Sequence, residues 1–567
     1  MFRFASCVAN LSDTLPGRHS SFPRHGEPSD PPIPFIPIRF GRLSFSRWKR
    51  SVSISKSPRP PWQQGGETPC PSRRTKQNEG NPAMEPIADA LPRFQLLTPE
   101  HREYIHRASL EILRRTGVRV HHAETVKMLA ESDAMVTEEN RVFFPASLVE
   151  WAVRQAPDRI MLCKRGQEEP TVWLEEGPVH FGTGSDCNNY LDPETGAARP
   201  FTTKEIAACV RLVDALPEID FCMSMGSPND VAEAERFRIQ FALMMENTAK
   251  PIVFIADGRA DCEAIHAMAV AAAGSEDYLR LHPNLLGYGM MTTPLVQPGE
   301  SLEKLLFMAE KQIPAVHQPA PMMGGTAPFS LAGGLALGNA EVLSSLVIHQ
   351  LRRPGAPFVY GCGLHHMDMR TTLSVYNAPE WLLARAGTAE MARYYRLPRF
   401  GYAGHTDSNA MDEQAASDAF SSVMMAFLTR EHLAHDVGYM ESGLTTSPEL
   451  IVFSDEAISG FRAFDKGVSF DPESLALDVI HQVGPGGNHM NTPHTFQRFR
   501  DFWSPTLFNR KRRTQWEKAG SPTLGKRLRD KTISLMESHR PEPLGDSVRE
   551  EIDYILKNSG FPKAPNK

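Results

Sequence analysis

The run Pro357-Phe-Val-Tyr-Gly-Cys362 has the apolar and aromatic composition of a short buried strand. A polar loop, Gly363-Leu-His-His-Met-Asp-Met-Arg370, follows it, and residues 379–395 then show helical spacing of apolar side chains. The next run, Pro398-Arg-Phe-Gly-Tyr-Ala403, repeats this order and is followed by Gly404-His-Thr-Asp407. A strand, a polar loop and a helix therefore form one repeating unit.

The same unit recurs along most of the chain. We predict eight strands, at 178–183, 220–226, 251–256, 284–291, 313–318, 357–362, 398–403 and 436–441. We predict helices between them at 203–215, 232–247, 261–274, 300–311, 329–351, 379–395 and 411–430. Eight such alternations, without the glycine-rich fingerprints of nucleotide-binding folds, predict an α/β protein with a (β/α)8 TIM barrel.

The chain of 567 residues divides by composition around this barrel. Residues 1–83 carry 13 Lys or Arg against 5 Asp or Glu and are rich in proline, so we expect a disordered basic leader. This leader either resembles an organellar transit peptide or lies upstream of a true start at Met84. Residues 84–175 are predicted as a helical extension, 176–500 as the barrel, and 501–567 as a helical tail.

The composition excludes several classes of protein. No stretch has the roughly 18 to 20 uninterrupted apolar residues that span a bilayer. The chain after residue 83 has a formal charge of about −14, which does not suit a nucleic-acid phosphate backbone. The eight cysteines form no CxxC pair, so we expect reduced thiols and a cytoplasmic location.

Candidate functional residues follow the predicted strands, because a barrel of this type holds its reactive groups at the carboxyl ends of its strands. The densest group of titratable side chains follows the last three strands and comprises His365, His366, Asp368, Arg370, His405, Asp407 and Glu441. The loop after the fifth strand adds Gly324, Gly325 and Thr326. One interpretation is a metal-dependent barrel hydrolase whose ligands are His365 or His366, His405, Asp407 and Glu441. No HxH or HExxH pair supports it, and we expect no tightly bound metal.

Aromatic and thioether side chains also collect near the predicted strand ends. Tyr190, Tyr288, Tyr360, Tyr402 and Tyr439 lie within or near strands, and several of the 24 methionines occur there in pairs. Methionines shape broad apolar surfaces, although ordinary core packing explains them equally well. Converging aromatic rings would suit a quaternary ammonium ion.

Several segments, in the same order, resemble the trimethylamine methyltransferase (MttB) superfamily. The segments are Gly182-Thr-Gly-Ser-Asp186, Met323-Gly-Gly-Thr-Ala-Pro328, Gly338-Asn-Ala-Glu-Val-Leu343, Tyr360-Gly-Cys362 with Met367-Asp-Met-Arg370, Gly401-Tyr-Ala-Gly-His-Thr-Asp-Ser408, Tyr439-Met-Glu-Ser-Gly443, and Val483-Gly-Pro-Gly-Gly487 with His494-Thr495. The resemblance runs from about Leu97 to Arg510. It implies a (β/α)8 barrel that moves a methyl group from a methylated amine to a Co(I) corrinoid (cobalamin) carried by a cognate partner protein.

The resemblance also bears on the substrate. Archaeal trimethylamine enzymes of this superfamily carry pyrrolysine, whereas many bacterial members lack it and act on quaternary amines. This sequence contains only the standard twenty residues, which favours a glycine-betaine-type member. A quaternary ammonium leaves as a neutral tertiary amine, so the site must supply position, a wall that tolerates a cation, and a partner for the carboxylate.

These roles are assigned to the residues above as expectations. Tyr360, Tyr402 and Tyr439 are candidates for the wall, and Arg370, His365, His366 and His405 for the carboxylate partner. Asp368, Asp407 and Glu441 would orient them, while His435, Gly324, Gly325 and Thr326 are further candidates for binding substrate. Besides the hydrolase, a non-catalytic subunit that binds a corrinoid protein remains an alternative, and the chain could form homo-oligomers.

Overall fold

The computed structural model describes residues 87–558, so the predictions for the leader lie outside the described residues. The described residues belong to one compact unit. Its first part contains the helices α1 (Pro99–Glu111), α2 (Ala123–Ala130) and α3 (Ala146–Gln155). Between and around them are six short strands, β1 (Ile87–Ala90), β2 (Val118–Val120), β3 (Met135–Val136), β4 (Arg141–Phe143), β5 (Ile160–Cys163) and β6 (Pro170–Leu174).

Helix α1 shows why this region folds as the sequence indicates. The Thr98 hydroxyl accepts the His101 backbone amide, the His101 side chain accepts the Thr98 amide, and Pro99 occupies the first turn. The six strands have two to five residues each, which is too short for a clear alternating pattern. The sequence analysis therefore predicted the helical character of this region and missed these strands.

The barrel region then adds the remaining strands in chain order. They are β7 (His180–Thr183), β8 (Asn189–Leu191), β9 (Ala198–Pro200), β10 (Ile252–Phe254), β11 (Leu285–Met290), β12 (Val296–Gln297), β13 (Ala315–Gln318), β14 (Met322–Met323), β15 (Phe358–Gly361), β16 (His365–Met367), β17 (Ser374–Val375), β18 (Arg399–Tyr402), β19 (Leu433–Val437), β20 (Tyr439–Met440), β21 (Thr445–Thr446) and β22 (Val468–Phe470). Seven of them form one parallel sheet in the order β10-β11-β13-β15-β18-β19-β7.

Residues 220–226, the predicted second strand, fill the eighth strand position of the barrel. Parallel bridges join Phe221 to Gly182 on β7 and Cys222 to Ile252 on β10. These bridges connect the two edges of the seven-stranded sheet and close the (β/α)8 barrel that the sequence predicted. A third parallel bridge joins Gly226 to Cys187, just after Met225, which adopts a left-handed backbone with φ of 62°.

The helices lie outside this barrel. They are α4 (Thr203–Ala215), α5 (Arg236–Asn247), α6 (Arg259–Ala273), α7 (Glu276–Leu281), α8 (Gly299–Lys311), α9 (Leu331–Arg352), α10 (Pro379–Tyr395), α11 (Glu413–Thr429), α12 (Pro448–Asp465), α13 (Pro472–Leu475), α14 (Leu477–Val483), α15 (Pro493–Arg498), α16 (Arg513–Lys518), α17 (Leu524–Ser538) and α18 (Asp546–Asn558). Seven of the barrel helices lie at the predicted places, and α12 is an eighth that the sequence analysis did not include.

Helix α9 is long and apolar enough to cross a membrane by its length and composition. In this fold, however, 78% of its apolar window is buried inside the protein, against α1, α3 and the neighbouring barrel helices. Its hydrophobicity is therefore explained by its position as a core helix between two layers.

The barrel interior is closed at the amino ends of its strands. The inward side chains of the strands, including Val253, Leu286, Val316, Phe400 and Leu433, form a buried cluster. The β5–β6 hairpin packs Ile160, Leu162, Val172 and Leu174 into the same cluster. Because the hairpin plugs this end, the opposite end of the barrel is the one available for a functional site.

The eighth strand differs from its prediction. It covers Leu433–Val437, three residues before the predicted start at 436. The extended backbone cannot continue beyond it, since Asp436 has φ of 74° and Gly438 has φ of 97°. His435 therefore lies inside the strand rather than just before it.

Candidate active site

Four strands bring an aromatic and polar cluster to the carboxyl end of the barrel. The side-chain amide of Gln318, at the end of β13, donates to the hydroxyl of Tyr288 on β11 at 2.5 Å. The His435 ring lies 4.4 Å from the ring of Tyr402 and 6.1 Å from that of Tyr288. Because alternate residues of a strand face the barrel interior, Phe400 below Tyr402 packs on the same histidine at 4.3 Å.

A bulge in β19 adds a carboxyl group to this cluster. The register of β19 against β7 shifts between Ala434 and Val437, and the left-handed backbone of Asp436 lies within that shift. A Cβ atom at Gly184 would lie 2.5 Å from the Asp436 carboxyl and 2.3 Å from the Tyr439 ring. Only glycine at position 184 lets these two side chains approach β7 so closely.

The environment of Asp436 favours its neutral form. Its side chain is only 5% exposed, and burial raises the pKa of Asp436 to about 8, against the opposing effect of Arg385. The neighbouring His435 donates from Nδ1 to the Gly401 carbonyl at 2.6 Å, and burial lowers the pKa of His435 to about 3. The site therefore holds a carboxyl group that resists ionisation near neutral pH.

Helix α10 supplies a buried cation to the same end of the barrel. Trp381 and Arg385 are one helical turn apart and share a face. The guanidinium lies 4.7 Å from the Tyr402 ring and 5.0 Å from the Trp381 ring. Its two terminal nitrogens donate to the carbonyls of Cys362 and Leu364 at 2.7 and 2.6 Å.

Arg385 lacks the partner that a buried arginine usually has. Within residues 87–558 no carboxylate lies within 4.0 Å of its guanidinium, and its buried Nε has no hydrogen-bond acceptor. A guanidinium has five N–H donors and presents them to carboxylates in pairs. The site therefore contains a cation with donors left over for an anionic group.

A second set of contacts fixes the loop above this cluster. Asp407 accepts the backbone amides of Tyr376 and Asn377 at 2.9 and 3.1 Å, and the Ser442 hydroxyl at 2.7 Å. His405 donates from Nε2 to the Tyr376 carbonyl at 3.1 Å, and burial lowers its pKa to about 4. Both side chains therefore position Tyr376, and the buried Nδ1 of His405 has no hydrogen-bond partner among the described residues.

Comparison with known proteins places the chain in a family. The family model described as "Trimethylamine methyltransferase (MTTB)" matches residues 65–559. The chain belongs to this family. A trimethylamine methyltransferase of Desulfitobacterium hafniense is 29% identical over 458 residues, which are 80% of this chain and 92% of that protein. A glycine betaine methyltransferase of the same species is 27% identical over 478 residues, which are 84% of this chain and 99% of that protein.

The relatives also include archaeal proteins and a solved structure. The trimethylamine methyltransferase of Methanosarcina barkeri is 28% identical over 82% of this chain and 94% of its own length. The crystal structure of the Methanosarcina barkeri monomethylamine methyltransferase aligns with 83% of this chain and 89% of that chain. That alignment has a TM-score of 0.41 and 10% sequence identity.

The structure brings several predicted site residues of this methyltransferase together. Tyr402, Tyr439 and His435 lie in the cluster around Asp436, and His405 and Asp407 lie directly above it. His365 lies beside Tyr376 at 6.0 Å between rings and donates from Nδ1 to the Gly363 carbonyl. Burial lowers the pKa of His365 to about 4.

Other predicted residues lie away from this cluster. The Tyr360 side chain points outward from β15 and donates to Asn339 on α9 at 2.9 Å, because its neighbour Val359 occupies the inward face. Asp368 accepts the backbone amide of Arg370 in an exposed turn, and Arg370 is itself exposed. His366 pairs with Met323 in the small sheet β14-β16-β17 at the rim.

The remaining candidates also belong to the rim. Gly324 and Gly325 form an exposed turn, in which Gly324 has φ of 90°. The Thr326 hydroxyl accepts the Met322 backbone amide at 2.9 Å and closes that turn. Glu441 accepts the Thr445 hydroxyl at 2.7 Å. Among residues 87–558, no three His, Cys, Asp or Glu side chains come together as a metal site, which the hydrolase interpretation requires.

The sequence analysis missed Asp436, Arg385, Trp381 and Tyr376 as site residues. Asp436 reaches the site through a bulge, and a bulge leaves no clear trace in the alternation of one strand. Trp381 and Arg385 lie on a helix, whereas the search was confined to strand ends. The sequence signal for these two residues was their spacing of four at the start of the helix that follows the sixth predicted strand.

Proposed function

We propose that the chain transfers a methyl group from a quaternary amine that carries a carboxylate, such as glycine betaine, to a Co(I) corrinoid held by a partner protein in the cytoplasm. The observation that carries the proposal is the cluster of aromatic rings that places a carboxyl group, Asp436, and an unpaired guanidinium, Arg385, at one end of the barrel. A betaine has opposite charges at its two ends. The family membership and the relative named a glycine betaine methyltransferase support the same substrate class.

In this proposal Asp436 and Arg385 bind opposite ends of the substrate. The trimethylammonium group lies against Tyr402, Tyr288 and Asp436, where ring faces and a carboxylate oxygen attract a cation. The carboxylate of the substrate accepts hydrogen bonds from the free donors of Arg385. Arg385 thus takes the role that the sequence analysis gave to Arg370.

The reaction needs little proton chemistry from the protein. The C–N bond of the substrate breaks as its methyl group bonds to cobalt, and the electron pair stays on nitrogen, so dimethylglycine leaves as a neutral amine. The side chains then contribute by holding one methyl group in line with the acceptor, and such positioning accounts for a large share of many enzymatic accelerations. The acceptor is a substrate brought by the partner.

The rim offers a surface for that partner. Phe329, Met369 and Leu373 are 60–65% exposed and follow the carboxyl ends of the barrel strands. Phe329 and Met369 both lie against the Gly324 turn. Exposed apolar side chains grouped around a site are typical of protein contacts. We propose that the corrinoid protein docks on this rim with its cobalt facing the aromatic cluster.

The test is a methyl-transfer assay with Co(I) cobalamin and a panel of glycine betaine, proline betaine, carnitine and trimethylamine. We expect methylcobalamin and dimethylglycine in equal amounts from glycine betaine, and about 30-fold less product with Arg385→Met at the same subsaturating substrate concentration. Turnover of trimethylamine alone would assign a tertiary amine as substrate instead. Failure with all four substrates, together with binding of a corrinoid protein, would favour the non-catalytic alternative.

A further inference from the structure

The contact between Asp436 and His435 requires a proton. The Nδ1 of His435 lies 2.6 Å from the Gly401 carbonyl oxygen, which can only accept, so Nδ1 carries the hydrogen. In a neutral imidazole, Nε2 then has a lone pair. This Nε2 lies 3.2 Å from Oδ1 of Asp436. With both groups deprotonated, a lone pair and a negative oxygen would face each other in a buried site.

In the described part of the chain, no cationic side chain forms an ion pair with the Asp436 carboxyl apart from the His435 contact. Its side chain is 5% exposed, and Arg385 acts on it from α10 without contacting it. The titratable and charged groups that face Asp436 from the surrounding elements are Tyr288, Tyr376, Tyr402, Tyr439, Cys187, Asp186, His435 and Arg385. Burial raises the pKa of each of these tyrosines and of the Cys187 thiol, so they stay neutral through physiological pH.

We propose that Asp436 and His435 hold one proton between them in the free protein, and that a quaternary ammonium binding beside Asp436 displaces this proton into the solvent. The inference rests on the proposed function, because it uses the same cation position. It goes further by coupling substrate binding to one ionisation. Asp436 is in this sense a residue that recognises the cation and changes its charge as it does so.

The driving force is the exchange of one positive charge for another. Burial disfavours an isolated carboxylate, so the free site keeps its proton. A trimethylammonium group next to Oδ1 supplies the missing positive charge and has no hydrogen to donate, so it stabilises only the ionised carboxylate. Binding therefore releases the proton to the buffer, and no covalent bond to the substrate forms in this step.

The coupling has a defined dependence on pH. Below the pKa of Asp436, which burial raises to about 8, each cation bound must expel a proton. The affinity for a quaternary ammonium then rises with pH by up to about tenfold per unit and levels off above that pKa. His435 does not add to this slope, since burial lowers its pKa to about 3.

The experiment is isothermal titration calorimetry of the full chain near pH 7 in two buffers of different ionisation enthalpy. Tetramethylammonium and glycine betaine are the probes, and 3,3-dimethylbutyrate is the control because it has the shape of glycine betaine without the positive charge. We expect release of about one proton per site with tetramethylammonium and glycine betaine, and none with 3,3-dimethylbutyrate, whose tert-butyl group carries no charge. The dissociation constant for tetramethylammonium should fall about tenfold from pH 6 to pH 7.

Two carboxamide variants identify the group that loses the proton. Asp436→Asn keeps the shape of the side chain, tolerates the left-handed backbone, and should abolish the release and flatten the pH dependence. Asp186→Asn should leave both unchanged and so separates the two buried carboxyls near the mouth. Glu413→Gln, an exposed acid at the start of α11, is the matched control.

Each outcome decides one of the claims. Cation binding or methyl transfer from glycine betaine without proton release overturns this inference and leaves the proposed function standing. Proton release that persists in Asp436→Asn assigns the proton to another group and also overturns the inference. If neither cation binds and none is demethylated, both the inference and the proposed function are wrong. The measurement on the unchanged protein decides the matter even if Asp436→Asn does not fold.

Discussion

The two ends of the barrel both bury charged side chains, and they differ in how their arginines are paired. There Arg399 lies 2.9 Å from Glu176, and Arg462 lies 2.6 Å from Glu218 and 2.7 Å from Asp220. At the carboxyl end Arg385 has no carboxylate within contact distance among the described residues, and Asp436 has only the neutral His435. Carboxylates therefore neutralise these arginines at the amino end, whereas Arg385 at the carboxyl end keeps donors available.

The difference shows in the direction of the carboxyl pKa values. The pKa of Asp220 is lowered despite its burial, by His180 and Arg462, whereas burial raises the pKa of Asp436. A lowered pKa means that the ionised group stabilises the fold, and a raised one means that the ionised group is tolerated at a cost. Buried charge that costs stability is a mark of functional sites.

The largest expected effect is at the paired end. Replacing Asp220 with alanine leaves Arg462 partly buried with one fewer anion and removes the acceptor of the Phe181 amide. We expect the free energy of unfolding to fall by about 3 kcal/mol, measured by urea denaturation. Glu276→Ala, which removes a solvent-exposed ion pair with Lys311, should cost less than about 1 kcal/mol. Equal losses in both variants would contradict the comparison.

At the carboxyl end, replacing the Asp436 carboxyl group should raise the free energy of unfolding near neutral pH rather than lower it. Because the folded pKa of Asp436 lies above its unfolded value, its ionisation lowers stability as pH rises from about 4 to about 8. Asp436→Asn removes this penalty. Relative to the unchanged protein, we expect the variant to gain about 2.7 kcal/mol of unfolding free energy between pH 5 and pH 7, as one proton over two pH units requires. Parallel pH profiles would show that Asp436 is already ionised.

Replacing Arg385 should weaken the binding only of ligands that carry a carboxylate. Arg385→Met removes the donors for a substrate carboxylate, and we expect about 30-fold weaker binding of glycine betaine, in line with about 2 kcal/mol for a charge-assisted hydrogen bond. Tetramethylammonium has no carboxylate and controls for any general disturbance of the mouth. Equal losses for the two ligands in titration calorimetry would mean that Arg385 only supports the loop at Cys362 and Leu364.

The smallest expected effect separates two tyrosines of adjacent strands. Tyr402→Leu removes a ring face from the cluster, and about tenfold weaker binding of tetramethylammonium is the expected result. Tyr360→Phe removes a hydroxyl on the outer face of the barrel and should leave that affinity unchanged. A loss in Tyr360→Phe equal to that in Tyr402→Leu would contradict the placement of the two side chains.

The sequence predicted the barrel well because its strands and helices repeat a strong pattern. Helix α4, for example, begins at Thr203 as predicted, since the Thr202–Glu205 capping box is readable in the letters themselves. The boundary of β19 was less accessible, because its end depends on a left-handed aspartate. The sequence therefore placed the residues at strand ends in the correct loops. It did not predict the direction in which each side chain points.

The candidate site was predicted only in part for the same reason. Tyr402 and His405 follow a regular strand and lie where the pattern indicates, whereas Tyr360 on the preceding strand faces outward. Alternation along four residues gives two faces but does not tell which one is inside when both are apolar. Arg385 enters from a helix and Asp436 from a bulge, so their meeting is a consequence of the tertiary fold.

The most direct test of the whole account compares glycine betaine with 3,3-dimethylbutyrate, an isostere that keeps the carboxylate and lacks the positive charge, in binding to the unchanged protein at pH 8. Both ligands offer Arg385 the same carboxylate and fill the same volume, and only glycine betaine brings a positive charge to Asp436, Tyr402 and Tyr288. We predict that glycine betaine binds at least about 30-fold more tightly, as a desolvated cation–π contact and a carboxylate require. Equal affinities would contradict the central claim that this end of the barrel recognises a quaternary ammonium.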